Sequence, residues 1–151
     1  MATVPAELSL VLEFLNTREI GAGTDVLTAE WLVAAGLADS PDVDVEAARE
    51  FRERLRAVLI GEPVSLGATV TVRLEPGGPR LEGVGPAERV LALIAGATSW
   101  DRVKVCSAED CRWAFYDASR NHSRTWCSMS DCGNRAKARA YRARQSPNAG
   151  A

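Results

Sequence analysis

All four cysteines of the chain fall within residues 106–132, as the pairs Cys106/Cys111 and Cys127/Cys132, with four residues inside each pair and fifteen between them. A pair at this spacing can close a tight turn and aim two sulphurs at one point. Two such turns then offer four thiolates to a single ion. The layout suits a tetrahedral zinc site better than any other use of cysteine, and four thiolates leave no open position for water or substrate. One structural Zn2+ held by Cys106, Cys111, Cys127 and Cys132 is the expectation, with a disulfide-based redox switch as the competing use. His122, the sole histidine, could replace a cysteine in principle, but its polar neighbours suit a surface turn.

The residues around the cysteines suggest how they are presented. Residues 103–105 read as a strand leading into a knuckle at 106–111, 112–116 as a second strand, 117–123 as a polar turn and 124–126 as a returning strand. Ser128, with Asp131 three residues on, resembles a capping box that starts a helix running to about residue 145. The alanine and arginine that fill this segment are strong helix formers. Cys132 then lies in the first helical turn, where backbone amides and the macrodipole favour a thiolate. At about 100° per residue, Cys132, Ala136, Ala140 and Ala143 share one side, a seam small enough to lie against the hairpin. Trp113, Phe115, Tyr116 and Trp126 supply a small core.

The same helix carries the clearest functional signal. Between Asn134 and Gln145 there are five basic residues and no acid. Arg135, Lys137, Arg139, Arg142 and Arg144, with Asn134 and with Arg120 and Arg124 from the preceding turn, form the expected nucleic-acid surface. Such a run provides the phosphate contacts that dominate affinity for DNA. Charge divides along the chain in the same sense: residues 1–100 hold 8 Lys and Arg against 15 Asp and Glu, and residues 101–151 hold 10 against 5. An acidic front half and a basic back half point to two modules.

In the front half, residues 7–17 fit strand and helix periodicity alike, and their length and Leu/Glu content favour helix. Asn16, Thr17 and Arg18 follow, either as cap and turn residues or as a polar cluster lining a small-molecule pocket. Thr28 reads as the N-cap of a short helix stopped by Gly36. Residues 45–60 form an amphipathic helix with Ala48, Phe51, Leu55, Val58 and Leu59 on one face. Its interleaved arginines and glutamates read as a solvated, self-paired face. Residues 69–74 and 80–84 pair as a hairpin across 75–79, and Pro86 opens a helix ending near Gly96. The apolar runs fall short of a bilayer span and no basic segment precedes an apolar one near Met1, so neither membrane span nor secretory signal is expected, and a cytoplasmic setting follows.

The string Cys132-Gly133-Asn134-Arg135, preceded by Trp126-Cys127-Ser128 and by residues 117–124 (DASRNHSR), resembles the CGNR zinc finger. Phe14-Leu15-Asn16-Thr17, Trp31-Leu32 and Gly36-Leu37 resemble the ABATE domain that usually precedes that finger. Relatives carry more helix between the segments that correspond to Ile60 and Thr69. The resemblance implies a stress-responsive transcription regulator, with the same four cysteines as ligands, DNA bound through the finger, and a front domain for effector sensing or dimerisation.

The sequence thus predicts an α+β chain. A mostly helical domain with a β-hairpin spans 1–98, a treble-clef-like four-cysteine zinc finger of hairpin plus C-terminal helix spans 99–145, and 146–151 form a disordered tail. Zinc is the expected cofactor and DNA the expected partner, with a small-molecule effector and a homodimer also implied and no membrane. The alternative is a zinc-stabilised adaptor that binds protein, and RNA is a third target. Enzymatic function is not expected, because the cysteines are consumed and neither a Gly-rich phosphate loop nor a nucleophile elbow is present.

Overall fold

The apolar spacing of the first segment resolves into helix. Helix α1 (Ala6–Leu15) buries Leu8, Val11, Phe14 and Leu15, the stripe that a 3.6-residue period places on one face. The structure, a computed structural model, describes residues 3–145, so the expected tail at 146–151 lies outside the described residues. Helix α2 (Ala29–Ala34) starts at Thr28, whose hydroxyl accepts the Trp31 amide at 3.1 Å. Helix α3 (Val45–Leu59) starts at Asp44, which accepts the Ala47 amide at 2.9 Å. Phe14 sits between Trp31 and Phe51, with ring centroids 6.4 and 6.2 Å away.

Between α1 and α2 the chain makes a short antiparallel ribbon, β1 (Arg18–Glu19) against β2 (Thr24–Asp25). Arg52 of α3 closes it. This side chain is 1% exposed, grips both carboxylate oxygens of Asp25 at 2.8 and 2.6 Å, and reaches the Thr17 hydroxyl at 2.7 Å. Arg56, also buried, donates to the carbonyls of Leu15 at 2.6 Å and Arg112 at 2.5 Å. The expected solvated face of α3 is therefore corrected at two positions. Both guanidiniums are inside because they satisfy loop carbonyls, a hydroxyl and a carboxylate that would otherwise be buried without partners.

Strands β3 (Thr71–Glu75) and β4 (Gly78–Glu82) pair antiparallel with Glu75 opposite Gly78. The turn is only Pro76-Gly77, so β4 begins two residues earlier than expected and includes Pro79. The sheet has just these two strands, and an edge strand tolerates proline. Gly78 adopts φ +119°, open to glycine and not to residues with a Cβ. Helix α4 (Pro86–Gly96) packs on α1 and β4, and Glu88 accepts the Gly85 amide at 3.1 Å.

A short 3-10 turn, Trp100–Arg102, leads into β5 (Val103–Val105), which pairs antiparallel with β6 (Ala114–Tyr116). Val105 and Ala114 join the same buried cluster as Val11, Phe14, Phe51, Leu55 and Val90. The expected division between 98 and 99 thus cuts through one continuous core. Asn16 fastens the joint: its side-chain amide donates to the Ala114 carbonyl at 2.9 Å and accepts the Ala114 amide at 2.8 Å. Nearby, a Cβ on Gly21 would stand 2.7 Å from the Asp110 carbonyl oxygen, so the β1–β2 turn approaches the cysteine knuckle at a distance only glycine permits. Among the described residues no helix is long and apolar enough to cross a membrane.

Candidate metal centre

Beyond β5 the backbone builds two turns that face each other. In the first, the Cys106 amide donates to the Trp113 carbonyl at 2.8 Å, and the Cys111 and Arg112 amides both donate to the Ala108 carbonyl at 3.0 Å. Arg112 takes φ +51° to turn the chain into β6. In the second, Ser128 accepts the Asp131 amide at 3.3 Å and a wide turn over Met129–Gly133 precedes helix α5 (Asn134–Gln145). Cys132 therefore occupies the helix start, as the capping signal implied. A backbone bond, Ser107 amide to Thr125 carbonyl at 2.9 Å, couples the two arms. The hairpin of this module is β5–β6, and residues 124–126 form no strand, contrary to expectation. Lys104, opposite Phe115 in the ladder, points its ammonium into the 117–124 turn, so this stretch is held by side chains instead of a ladder.

The sulphurs of Cys106, Cys111, Cys127 and Cys132 lie within 4.8 Å of one another, Cys111 and Cys127 at 3.6 Å and Cys127 and Cys132 at 3.8 Å. Zn–S bonds of about 2.3 Å in a tetrahedron put sulphurs about 3.8 Å apart, whereas a disulfide needs about 2.05 Å. All four thiols are free. The donor set and its dimensions fit one zinc ion, and a closed set of four thiolates makes that ion structural. Cys106 and Cys132 are buried, while Cys111 and Cys127 are half-buried. Burial, followed by the sulphurs of Cys111, Cys132 and Cys106, pushes the Cys127 thiol far up. The cluster holds its sulphurs as thiolates only with a cation between them. His122 stands outside this group, in the 117–124 turn at φ +48° and beside Asp101 at 3.4 Å.

That turn hangs on one carboxylate. Asp117 is fully buried; Lys104 Nζ lies 2.7 Å from its Oδ2, and the amides of Ser119 and Arg124 donate to it at 2.9 and 3.0 Å. Burial alone would raise its pKa, but the bonds from Lys104, Ser119 and Arg124 outweigh burial and hold it far below the usual carboxylate range. With the folded value depressed, Asp117 contributes stability above an unfolded pKa of about 3.9 and loses it as pH falls through the folded value. Asp117→Asn should be less stable than the parent at neutral pH yet lose less stability on acidification below about pH 4. Urea midpoints measured across that range check this, and parallel pH profiles would refute it.

The expected nucleic-acid residues separate into two sets. Arg124 is half-buried and engaged within the module: it donates to the Cys127 carbonyl at 2.7 Å and lies 5.0 Å over the Phe115 ring. Arg135 contacts Cys132 Sγ, Asp110 and Asp131 at 3.1, 3.0 and 3.2 Å. Lys137, Arg139, Arg142, Arg144 and Arg120 are exposed. Asn134 is exposed too, though its amide donates to the Ser130 carbonyl at 3.1 Å. No residue of α5 is buried, so the expected alanine seam is corrected. Ala136 is half-buried, but Ala140 and Ala143 are exposed because the helix projects from the module instead of lying on the hairpin. Of the aromatic core, Phe115 is buried and Trp126 packs on the cysteines, while Trp113 is 38% exposed.

The expected pocket residues fare differently. Asn16 and Thr17 are engaged in the internal bonds described above, and only Arg18 is exposed, 3.6 Å from Glu53. Sequence reasoning missed Asp110 and Asp131 as partners of Arg135. The Asp131–Arg135 pair is an i,i+4 spacing open to inspection; Asp110, twenty-five residues away, gives no local signal.

The family model of the CGNR zinc finger matches residues 102–145, a span that begins one residue before β5 and ends with α5. No curated protein matches the chain.

Proposed function

We propose that this protein binds DNA as a transcription regulator, with α5 as the contacting element and the zinc site as its mount. The observation that carries the reading is the state of α5: an acid-free helix with every residue at its surface or nearly so, projecting from a knuckle that the metal fixes. A helix of this width enters the major groove, and its cations reach phosphates on either side. Lys137, Arg139, Arg142 and Arg144 are the phosphate contacts in this reading, Asn134 the candidate for base contact and Arg120 an outer contact. The ion pairs of Arg135 and Arg139 with Asp110 and Asp131 stay within residues 99–145, so α5 is not masked by the acidic front domain.

The front domain serves as the effector-sensing or dimerisation module of a stress response, a role supported by its resemblance to the ABATE domain. An effector would enter the groove of about 700 Å³ between α1, α4 and the β3–β4 hairpin, lined by Glu7, Leu10, Leu37, Leu81, Arg89 and Leu93. Asn16 and Thr17 do not border it.

With about four phosphate contacts, the logarithm of the binding constant should fall against the logarithm of salt with a slope of roughly −3 to −4. Replacing Arg142 and Arg144 together by alanine should reduce that slope by about 2. Titration of labelled duplex between 50 and 200 mM salt, conditions chosen for about a hundredfold change, checks both. A salt-independent or absent interaction, with α5 instead capturing a protein, would favour the adaptor reading. Preference for single-stranded RNA over duplex would redirect it to RNA.

A further inference from the structure

We propose that Arg135 is a residue of the metal centre, holding the Cys132 thiolate and tying the two knuckles together around the ion. Its three guanidinium nitrogens are all committed within the module. Nη2 lies 3.1 Å from Cys132 Sγ, Nη1 3.0 Å from Asp110 Oδ2, and Nε 3.2 Å from Asp131 Oδ1. Asp110 belongs to the first knuckle, next to Cys111, and Asp131 to the second, next to Cys132. One planar fork therefore spans both halves of the site, a task for which a guanidinium is suited and an ammonium is not.

The chemistry supplies a reason for a cation there. Four thiolates on one Zn2+ leave excess negative charge on the sulphurs, which invites protonation, attack by electrophiles and loss of the metal. Cys132 Sγ accepts from the Arg135 guanidinium, a charged donor that draws off charge and covers the sulphur. Partners of this kind orient a ligand and tune the metal, and removing one typically costs about 10- to 100-fold in metal affinity. Arg135 accordingly acts through Cys132 as a positioning residue, and it leaves the nucleic-acid surface to the other polar residues of α5.

The test uses the full chain loaded with zinc, and compares the parent with Arg135→Ala, Arg135→Lys and Arg142→Ala. Zinc transfer to a chromogenic chelator, site-resolved alkylation by iodoacetamide, and the sulphur-to-metal charge-transfer band of the cobalt(II)-substituted protein are read in each. Arg135→Ala should release zinc about 10- to 100-fold faster, expose Cys132 to alkylation ahead of the other three cysteines, and shift the band. Arg135→Lys should recover part of each effect, and Arg142→Ala should match the parent. Zinc release within about twofold of the parent would overturn the proposal. So would equal acceleration at all four cysteines, which marks general loosening, or an unmoved band. If Arg135→Ala binds no metal, Arg135→Lys carries the same readouts, and unselective alkylation in it would be decisive against the idea. DNA affinity is not among these readouts, so the result stands apart from the fate of the DNA-binding reading.

Discussion

Removing zinc should unfold more than the cysteine module. Structural zinc sites in finger peptides contribute roughly 10–16 kcal/mol at neutral pH, a term as large as the whole stability of an ordinary domain, about 5–15 kcal/mol. Here the β5–β6 hairpin that leads into the cysteines also supplies Val105 and Ala114 to the core of α1 and α3. Loss of the ion frees both knuckles and therefore loosens one wall of that core. Treatment with a strong chelator, or Cys106→Ala at the most enclosed ligand, should lower the thermal midpoint by more than about 10 °C, the shift expected for a loss of several kcal/mol in a chain of this size. The metal content of the parent, about one zinc per chain for four thiolates, should fall to near zero in Cys106→Ala. A midpoint within a few degrees of the parent, or a metal-free parent whose thiols are all disulfide-linked, would defeat the expectation.

The second large effect lies far from the metal, at Arg52. Arg52→Ala removes a side chain that is 1% exposed, leaves the Asp25 carboxylate without its main partner and takes from the Thr17 hydroxyl the donor it accepts from. Breaking a buried pair from one side typically costs about 3–5 kcal/mol. Asp25 is 27% exposed, so water recovers part of the loss and about 3 kcal/mol is the expected destabilisation. Arg52→Lys should be nearly as damaging, because an ammonium cannot grip both carboxylate oxygens and the hydroxyl at once. Replacing both charges, as in Arg52→Met with Asp25→Leu, should recover most of the stability. Urea unfolding of Arg52→Met, Asp25→Leu and the double variant measures the coupling directly. Additive losses would show that the pair contributes through packing and not through its charges.

These two expectations mark where the sequence was legible and where it was not. Cysteine spacing is a local pattern with few chemical uses, and the four sulphurs do converge within 4.8 Å. The caps at Thr28 and Ser128 begin α2 and the turn before α5. Each is set by a hydroxyl three residues from its amide partner, a separation that reads directly. Arg52 and Arg56 were not legible, because arginine interleaved with glutamate on a helix looks solvated. What draws them inside is an aspartate and two carbonyls supplied from elsewhere in the chain. The misjudged returning strand has a similar cause: residues 124–126 alternate well enough for a strand, but the Lys104–Asp117 pair anchors the preceding turn from inside. The alanine seam of α5 failed for another reason. Small side chains permit close packing without driving it, since they remove little apolar surface from water.

The nakedness of α5 has a thermodynamic consequence of its own. A twelve-residue helix with no buried residue draws little stability from tertiary packing beyond the ion pairs of Arg135 and Arg139 with Asp110, and isolated helices of this length are marginal in water. Its order derives from the capped, metal-tethered first turn, and each turn farther from Cys132 is supported less. The distal cations, Arg142 and Arg144, therefore ride on the turns with the least support, where holding helix costs the most ordering entropy per contact. A surface that engaged them would have to keep those turns in helix, so its grip would be weaker than the charge count suggests and more sensitive to temperature. In this design zinc supplies the nucleus from which the helix grows, and the far end rests on the helix propensity of its alanines and arginines.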